Sequence, residues 1–300
     1  MGYPFEPTDL RVAWGAPTNN LPHSLWTYHA VATRIPAVVV SNLIALGSFT
    51  EKDRKKVPNY PHTLSYKDPS GQRSLWIDPN WWDVDYRDHD ADDMHKAEGV
   101  PDEAQTFQLA TNLLPKLGIN SACLARKPGT TDLHVGRVEG TAMLWRRPGG
   151  GLPYATNLCR RGVIFLRALD GVEFNGCMRA GCNIDFGSHA KVSQIKVTWR
   201  RLKRDKLHPV ATPEKLMQWI REGRATYFPG ADWPVPVTPA HTLTITKVTP
   251  YYYAEGHGEF EKPNGWVYPF AALEAGFDLT RTNDPTLIFC PLLEDKPVPR

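Results

Sequence analysis

The sequence predicts an α+β protein of two similar halves, in which each half is an antiparallel sheet packed on one helix. Two observations lead to this prediction. Strand-like runs bounded by turn residues fill most of the chain, and one capped helix interrupts them in each half. Strands and helices do not alternate in βαβ order, and no glycine-rich loop joins a strand to a helix, which argues against Rossmann and P-loop enzymes.

The composition indicates a folded chain and narrows the range of partners. Of the 300 residues, 41% are hydrophobic and 22% are charged, which is ordinary for a globular protein. The 27 prolines favour turns and edge strands over long helices. The formal net charge of +3 is too small to indicate a nucleic-acid partner. No apolar stretch reaches the roughly 18 residues that a membrane-spanning helix needs.

The first half is expected to hold an extended N-terminal arm, residues 1–25, and an α+β module, residues 26–147. The arm is rich in Pro and Asn. Alternating apolar residues between turn signals predict the strands of the module. These strands are 26–34, 37–49, 63–66, 74–77, 81–86 and 132–147.

A helix is predicted to begin after Asp102, between the last two of these strands. Asp102 is a good N-cap residue, and Gln105 completes a capping box. Gly118 is a suitable C-terminal glycine, although Pro115 makes a stop at Leu114 the alternative. The apolar residues at helical spacing are Phe107, Ala110, Leu113, Leu114 and Leu117.

The segment 148–156 is predicted to be a Pro/Gly linker to a second α+β module, residues 157–300. Asp170 and Gly171 form a strong hairpin-turn signal. Thr212 followed by Pro213 predicts the start of a second helix. The predicted strands of this module are 162–169, 172–175, 182–186, 192–199, 242–253, 266–273 and 287–293.

Five segments of the second module follow one another in a recognisable order. They are VIFLRALDGVEFNG (163–176), VSQIKVTWRR (192–201), ATPEKLMQWIREG (211–223), LTITKVTPYYYA (243–254) and GWVYPF (265–270). This order resembles the PepSY-type modules of the extracytoplasmic YycH and YycI regulators and related secreted proteins. The resemblance implies a repeated sheet-plus-helix fold and a role in binding or restraining other proteins. A hairpin followed by a capped helix is also typical of cystatin-like and nuclear-transport-factor-like folds, some of which are enzymes.

The resemblance also implies a location outside the cytoplasm. We therefore expect a secreted or periplasmic protein whose signal peptide has been removed, with a cytoplasmic location as the alternative. The chain contains five cysteines, an odd number. Cys177 and Cys182 are close enough in sequence to form a short disulfide, or they are two free thiols in a reducing compartment.

Two polar clusters could carry chemistry. In the first, His89, Asp92 and His95 supply the nitrogen and oxygen ligands that zinc, manganese or iron would accept, and His89 with Asp92 could act as acid and base. The alternative is a polar loop before the helix at 102. No cofactor is predicted apart from such a divalent metal.

The second cluster is Glu255, His257 and Glu259, a Gly-rich segment bordered by aromatic residues. It predicts a catalytic or metal-binding loop, or else a solvated hairpin turn. Aromatic side chains near both clusters are candidates for binding a flat ligand, although aromatic residues on strands more often fill a core. These candidates are Trp81, Trp82, Tyr86, Tyr252 and Trp266.

Three functions are compatible with these observations. The leading hypothesis is a non-catalytic secreted or envelope protein that binds a partner protein or a small ligand, through its sheet faces or between its halves. The second is an enzyme, a lyase, isomerase or hydrolase, with one of the two clusters in an aromatic-lined pocket between the halves. The third is a carbohydrate-binding protein that stacks sugars on Trp81, Trp82 and Tyr252.

Overall fold

The chain is a mixed α+β protein dominated by antiparallel strands. The computed structural model describes residues 3–4, 11–17, 21–32, 34–58, 60–93, 97–144, 155–174, 181–228, 242–253, 266–277 and 286–294. The described helices are α1 (Ala37–Leu46), α2 (Glu103–Leu113) and α3 (Pro213–Arg221). None of the described helices is long and apolar enough to cross a membrane.

The strands follow in chain order. They are β1 (Tyr3–Pro4), β2 (Arg11–Trp14), β3 (Ser24–Val31), β4 (Arg54–Lys55), β5 (Leu64–Lys67), β6 (Arg73–Asp78), β7 (Asp83–Asp88), β8 (Val135–Leu144), β9 (Ala155–Leu169), β10 (Val172–Phe174), β11 (Gly181–Phe186), β12 (Val192–Thr198), β13 (Arg201–Pro209), β14 (Thr226–Phe228), β15 (Thr242–Tyr253), β16 (Trp266–Phe277) and β17 (Thr286–Pro291).

The chain divides into two compact units, and both are discontinuous in sequence. The central unit contains Val31–Phe174 and Met178–Arg201. The terminal unit contains Met1–Ala30, Asn175–Cys177 and Leu202–Arg300. The predicted boundary at 148–156 does not coincide with this division: its last two residues belong to β9, and β9 pairs with β8 inside the central unit. A Pro/Gly-rich stretch is as typical of a hairpin loop as of a linker.

The central unit is built on one antiparallel sheet. Its strand order is β4-β5-β6-β7-β12-β11-β9-β8, and β10 folds back on the end of β9. Apolar side chains alternate with polar ones, so one face is apolar; we call it the inner face. Helix α1 packs on β6, and α2 packs on β9 and β11. The buried inner-face residues include Leu75, Ile77, Val84, Tyr86, Phe165, Ile184, Ile195 and Val197.

Helix α1 corrects the predicted strand at 37–49. A short apolar run rich in Val, Leu and Ile does not distinguish a strand from a helix by periodicity. Here Pro36 precedes the first turn with φ −59°, and Val39 and Leu43, four residues apart, are both buried against the core. Val38, on the opposite side, is 65% exposed. The buried side chains are therefore four residues apart, as in a helix, and not two residues apart, as the predicted strand would require.

The capping signals predicted for the other two helices are confirmed. The Asp102 carboxylate accepts a hydrogen bond from the Gln105 backbone N–H at 2.8 Å, and the Gln105 side chain accepts from the Asp102 N–H at 3.3 Å. The Thr212 hydroxyl accepts from the Lys215 N–H at 3.3 Å, with Pro213 at the first helical position. A 3-10 turn follows α2, and Gly118 ends it at φ 71°.

The terminal unit is centred on the long antiparallel pair β15–β16. Strand β17 pairs with β16 and β14, β14 pairs with β1, and β2 runs parallel to β15. Helix α3 packs on β2 and β17 and buries Leu216, Trp219 and Ile220. The predicted bounds of β15, residues 242–253, are those observed.

Candidate functional site

An open groove lies between the N-terminal half of α2 and strand β8 in the central unit. Its volume is about 320 Å³. Because side chains alternate along a strand, Val135, Arg137 and Glu139 of β8 share the inner face and form one wall. Glu103 and Phe107, one helical turn apart on α2, lie on the other wall. The groove exists because α2 packs on β9 and β11 and leaves the inner face of β8 uncovered.

The floor of the groove is apolar. Val163 of β9 is buried beneath it, and Phe107 is 39% exposed, which makes it one of the exposed large apolar side chains of the described chain. The Phe107 ring contacts Phe165, with centroids 6.2 Å apart, so the ring is held from below by the core. A ligand carrying an apolar group can therefore bury Phe107 without disturbing the sheet.

Two ion pairs form the rim of the groove. Arg137 contacts the Glu103 carboxylate, and Arg161 Nε lies 3.1 Å from Glu139 Oε1. Arg161 also donates to the Pro101 carbonyl oxygen at 2.8 Å, which fixes its position beside the start of α2. The Arg137 and Glu139 side chains are 68% and 51% exposed, so both charges remain accessible to a ligand.

The structure places Trp81 and Trp82 in the turn between β6 and β7, outside the groove. The Arg200 guanidinium lies 5.1 Å from the Trp81 ring centroid and 3.0 Å from the Asp83 carboxylate. Arg200 is 4% exposed, and burial raises the pKa of Asp83, whereas the Arg200 charge counteracts this shift. The Trp82 ring packs on the core near Gly118. These rings therefore stabilise the turn in this structure.

The described residues of the first predicted polar cluster, His89 and Asp92, contact other groups of the protein. His89 is exposed, and its backbone N–H donates to the Gln72 carbonyl oxygen at 3.0 Å. Asp92 lies 3.0 Å from Arg160 Nη1, so its carboxylate is occupied by a guanidinium. His95 lies outside the described residues. Within the described part of the chain, no three His, Cys, Asp or Glu side chains are grouped as a metal site would need.

Arg160 also faces a second carboxylate, that of Asp185. Its Nε lies 3.9 Å from Asp185 Oδ2, and the Asp185 side chain is 1% exposed. Burial raises the pKa of Asp185, and the Arg160 charge opposes that shift. Gly162 makes room for this carboxylate, because a Cβ on Gly162 would lie 1.9 Å from Asp185 Oδ1.

The second predicted cluster, Glu255, His257 and Glu259, lies outside the described residues. Two of the predicted ligand-binding aromatics are core residues: Tyr86 and Tyr252 are buried, and burial raises the pKa of Tyr86 to about 12. Tyr252 contacts Tyr28 edge to face at 5.2 Å. Trp266 is half-buried and stacks on Tyr268 with centroids 6.2 Å apart. Tyr86 and Tyr252 thus offer no surface to a sugar in this conformation.

The sequence did not indicate the groove residues as a site, although Phe107 was named as an apolar residue of its helix. The helical spacing predicts Phe107 on the apolar face of its helix, and the structure leaves it 39% exposed. The sequence of β8 held a weak signal, since the charged residues Arg137 and Glu139 occupy positions that alternation assigns to the same face as Val135. Charges on the apolar side of a strand indicate that nothing covers it.

Four cysteines are described, and all are free thiols. Cys123 is exposed, whereas Cys159, Cys182 and Cys290 are buried. Burial raises the pKa of the Cys182 thiol far above its usual range and that of Cys290 to about 12. Burial, and then the Asp92 charge, raise the pKa of Cys159. Cys177, the predicted disulfide partner of Cys182, lies outside the described residues.

We expect iodoacetamide to modify Cys123 in the native protein at least about 100-fold faster than Cys159, Cys182 and Cys290, since those three must be exposed by unfolding before a thiolate can form. Peptide mass spectrometry after timed quenching measures each rate. In guanidinium chloride all the thiols should react alike. Rapid native modification of Cys182 would contradict its burial.

Comparison with known proteins assigns no family. No family model and no curated protein matches the chain. Among solved structures, the chain is similar to the crystal structure of an uncharacterized protein from Eubacterium rectale ATCC 33656, at 7% sequence identity and a TM-score of 0.44. The alignment covers 96% of this chain and 90% of that chain. Fold and site together define a mixed α+β protein with an open amphipathic groove.

Proposed function

We propose that this protein is a non-catalytic binding protein and that a small amphipathic ligand occupies the groove between α2 and β8. One observation carries the proposal: the groove combines an exposed aromatic ring, a packed apolar floor and two accessible charges of opposite sign. Binding sites typically pair an apolar lining with a few polar groups that orient the ligand.

The size of the groove limits the ligand. Its volume of about 320 Å³ is at the lower end of the range of roughly 300–1,000 Å³ for small-molecule sites. A phenyl or branched aliphatic group would lie on Phe107 and Val163. A carboxylate would be attracted to Arg137, and an ammonium group to Glu139. Since both charges already have partners, we expect them to orient the ligand and the apolar contact to supply most of the affinity.

The described ionisable groups elsewhere in the central unit support a structural role for its buried charges. Asp83 and Asp185 face Arg200 and Arg160, and Asp92 shares Arg160. A general acid or base has to reach a substrate, whereas Asp83 and Asp185 are enclosed by their partners.

The proposal retains three expectations from the sequence: a secreted or periplasmic location, a PepSY-like fold and an organisation in two sheet-plus-helix modules. Antiparallel pairing with packed helices in both compact units, α1 and α2 in the central unit and α3 in the terminal unit, supports the last of these.

The binding test uses phenylbutyrate and phenylbutylamine, which share an apolar group and differ in the sign of their charge. We expect at least one to raise the melting temperature and to bind with a Kd of about 1 mM or tighter by calorimetry. Ala104→Trp fills the groove and should weaken binding at least about 10-fold. Asn112→Trp, at an exposed position of α2 that does not line the groove, should leave it unchanged. No binding by either compound, or equal binding by both variants, would refute the proposal.

A further inference from the structure

Strand β8 is a sheet edge in the described part of the chain. It pairs with β9 from Val135 to Leu144, and no other described strand pairs with its outer edge. The register shifts between Gly140 and Thr141, so Val135–Gly140 is the regular stretch. An exposed edge presents unpaired backbone N–H and C=O groups that can bind another strand.

The sequence of this edge is symmetric about Val138, except that the two charged residues on either side of it have opposite signs. Residues 136–140 read Gly-Arg-Val-Glu-Gly. Arg137 and Glu139 project on the inner face, where both line the groove, and Gly136, Val138 and Gly140 belong to the other face. When two such strands pair antiparallel about a two-fold axis at Val138, each charged residue lies opposite a residue of opposite charge, and each glycine lies opposite a glycine.

We propose that a second copy of this chain pairs with β8 through β8 of its own, forming a symmetric dimer. In this register Arg137 lies opposite the partner's Glu139, and Glu139 lies opposite the partner's Arg137. Val138 meets the partner's Val138 on the axis, and Gly136 lies opposite the partner's Gly140. Such an interface is isologous, so the same patch on both copies completes it.

The charges of the edge argue for a second copy over an unrelated strand. Directly opposed residues in antiparallel strands have Cβ atoms about 4.5–5.5 Å apart, where opposite charges attract and like charges repel. Edge strands are usually protected by charges that repel a second copy. Here the arrangement instead favours a second copy, because two pairs of opposite charges would form between the copies. Within each copy, Glu103 already pairs with Arg137, and Arg161 pairs with Glu139. The dimer would therefore contain two symmetry-related rows of four alternating charges. Each row runs from Glu103 and Arg137 of one copy to the partner's Glu139 and the partner's Arg161.

The glycines make the same register sterically easy. Neither Gly136 nor Gly140 carries a side chain, so Val138 alone projects from the non-groove face in this stretch. Because the proposed pairing is short, we expect it to bury less than the roughly 1,000 Å² typical of a stable interface and to form a reversible dimer with a micromolar Kd. The dimer and the small ligand proposed above share Arg137 and Glu139, which line the groove, but their tests are separate. Sedimentation without ligand tests the dimer, and Ala104→Trp, outside β8, tests the groove.

Sedimentation velocity from about 5 to about 500 µM protein tests the dimer, a range chosen to bracket a micromolar Kd. We expect the wild-type chain to shift from monomer to dimer. Arg137→Glu and Glu139→Arg each place like charges opposite each other twice, and each should weaken self-association at least about 10-fold. Lys191→Glu, an exposed charge reversal outside β8, should not.

The sharpest measurement is the mixture of Arg137→Glu with Glu139→Arg. Each variant alone is repelled by its own copy, whereas in the mixture every opposed pair has opposite charge, so a heterodimer should form. Circular dichroism and melting temperature confirm that both variants are folded. A wild-type chain that stays monomeric to about 500 µM, or dimers that neither reversal weakens, would overturn the proposal.

Discussion

Gly187→Ala is expected to lower the free energy of unfolding by about 3 kcal/mol, the upper end of the range for overpacking a rigid site. A Cβ at position 187 would lie 1.8 Å from the Ala91 carbonyl oxygen and 2.6 Å from its carbon. Both atoms belong to the backbone, so no side chain can rotate to relieve the clash. Ala91 is 1% exposed, and its carbonyl oxygen also accepts a hydrogen bond from the Ser188 N–H at 2.7 Å.

The effect should extend to the segment that follows β7. The His189 N–H donates to the Glu98 carbonyl oxygen at 2.8 Å, and the Glu98 N–H donates to the Ser188 hydroxyl at 3.3 Å. Displacing Gly187 from Ala91 strains these hydrogen bonds too. Gly276→Ala is the control, because a Cβ there meets nothing within 4 Å; we expect a change below about 1 kcal/mol. Urea unfolding followed by circular dichroism measures both. Equal stability of the two variants would show that Ala91 does not pack on Gly187.

Arg200→Met is expected to lower the free energy of unfolding by about 3–5 kcal/mol, because it leaves the Asp83 carboxylate buried without its counter-ion. Arg200 is 4% exposed and the Asp83 side chain 14% exposed, so solvent screens this pair weakly. The substitution also removes the guanidinium from the Trp81 ring. The double variant Asp83→Asn with Arg200→Met should recover most of the loss, since no charge is then left unpaired.

The stability of Arg200→Met should depend on pH in a defined direction. Burial already raises the pKa of Asp83 above 3.8, and losing the Arg200 charge raises it further. The folded state then keeps a proton that the unfolded state has released, so the contribution of Asp83 to stability is greatest below about pH 4 and falls as pH rises. Relative to the double variant, the deficit of Arg200→Met should therefore be smallest in acid and grow towards neutral pH.

Arg87→Met is the matched control for this prediction. Arg87 pairs with Asp85 of the same strand as Asp83, at 3.0 Å, but the two side chains are 45% and 31% exposed. Exposed pairs contribute roughly 0–1 kcal/mol, so Arg87→Met should have a small effect. Chemical unfolding between pH 4 and pH 8 measures all the variants. A loss for Arg200→Met no larger than that for Arg87→Met would contradict the structural role of the buried pair.

Several elements could be predicted from the sequence because the residues that determine them are neighbours. The Asp102–Gln105 capping box, Pro213 at the start of α3 and the Asp170–Gly171 turn each depend on contacts within a few residues. Asp170 and Gly171 adopt φ 51° and 78°, values that this residue pair tolerates well. The run of strand-forming residues over 242–253 likewise predicted the bounds of β15.

The candidate site could not be predicted in the same way. Tyr86 and Tyr252 were candidates for ligand binding because they are aromatic, yet partners distant in sequence bury them. Asp92 was a candidate metal ligand, yet Arg160, 68 residues away, holds its carboxylate. Whether a polar or aromatic side chain is accessible depends on which strands flank it, and short-range patterns carry no information on that.

The sequence by itself determined the class of fold, the caps and turns, and most strands, since local backbone preferences and side-chain alternation are properties of adjacent residues. Tertiary structure decided that residues 37–46 form a helix, since burial of Val39 and Leu43 against the core outweighed the strand preference of a β-branched run. It also decided that β8 and β9 pair with each other within one unit, and that β8 has an uncovered face beside Phe107. Each of these outcomes depends on pairing and packing between distant segments, whose free energy exceeds local propensity.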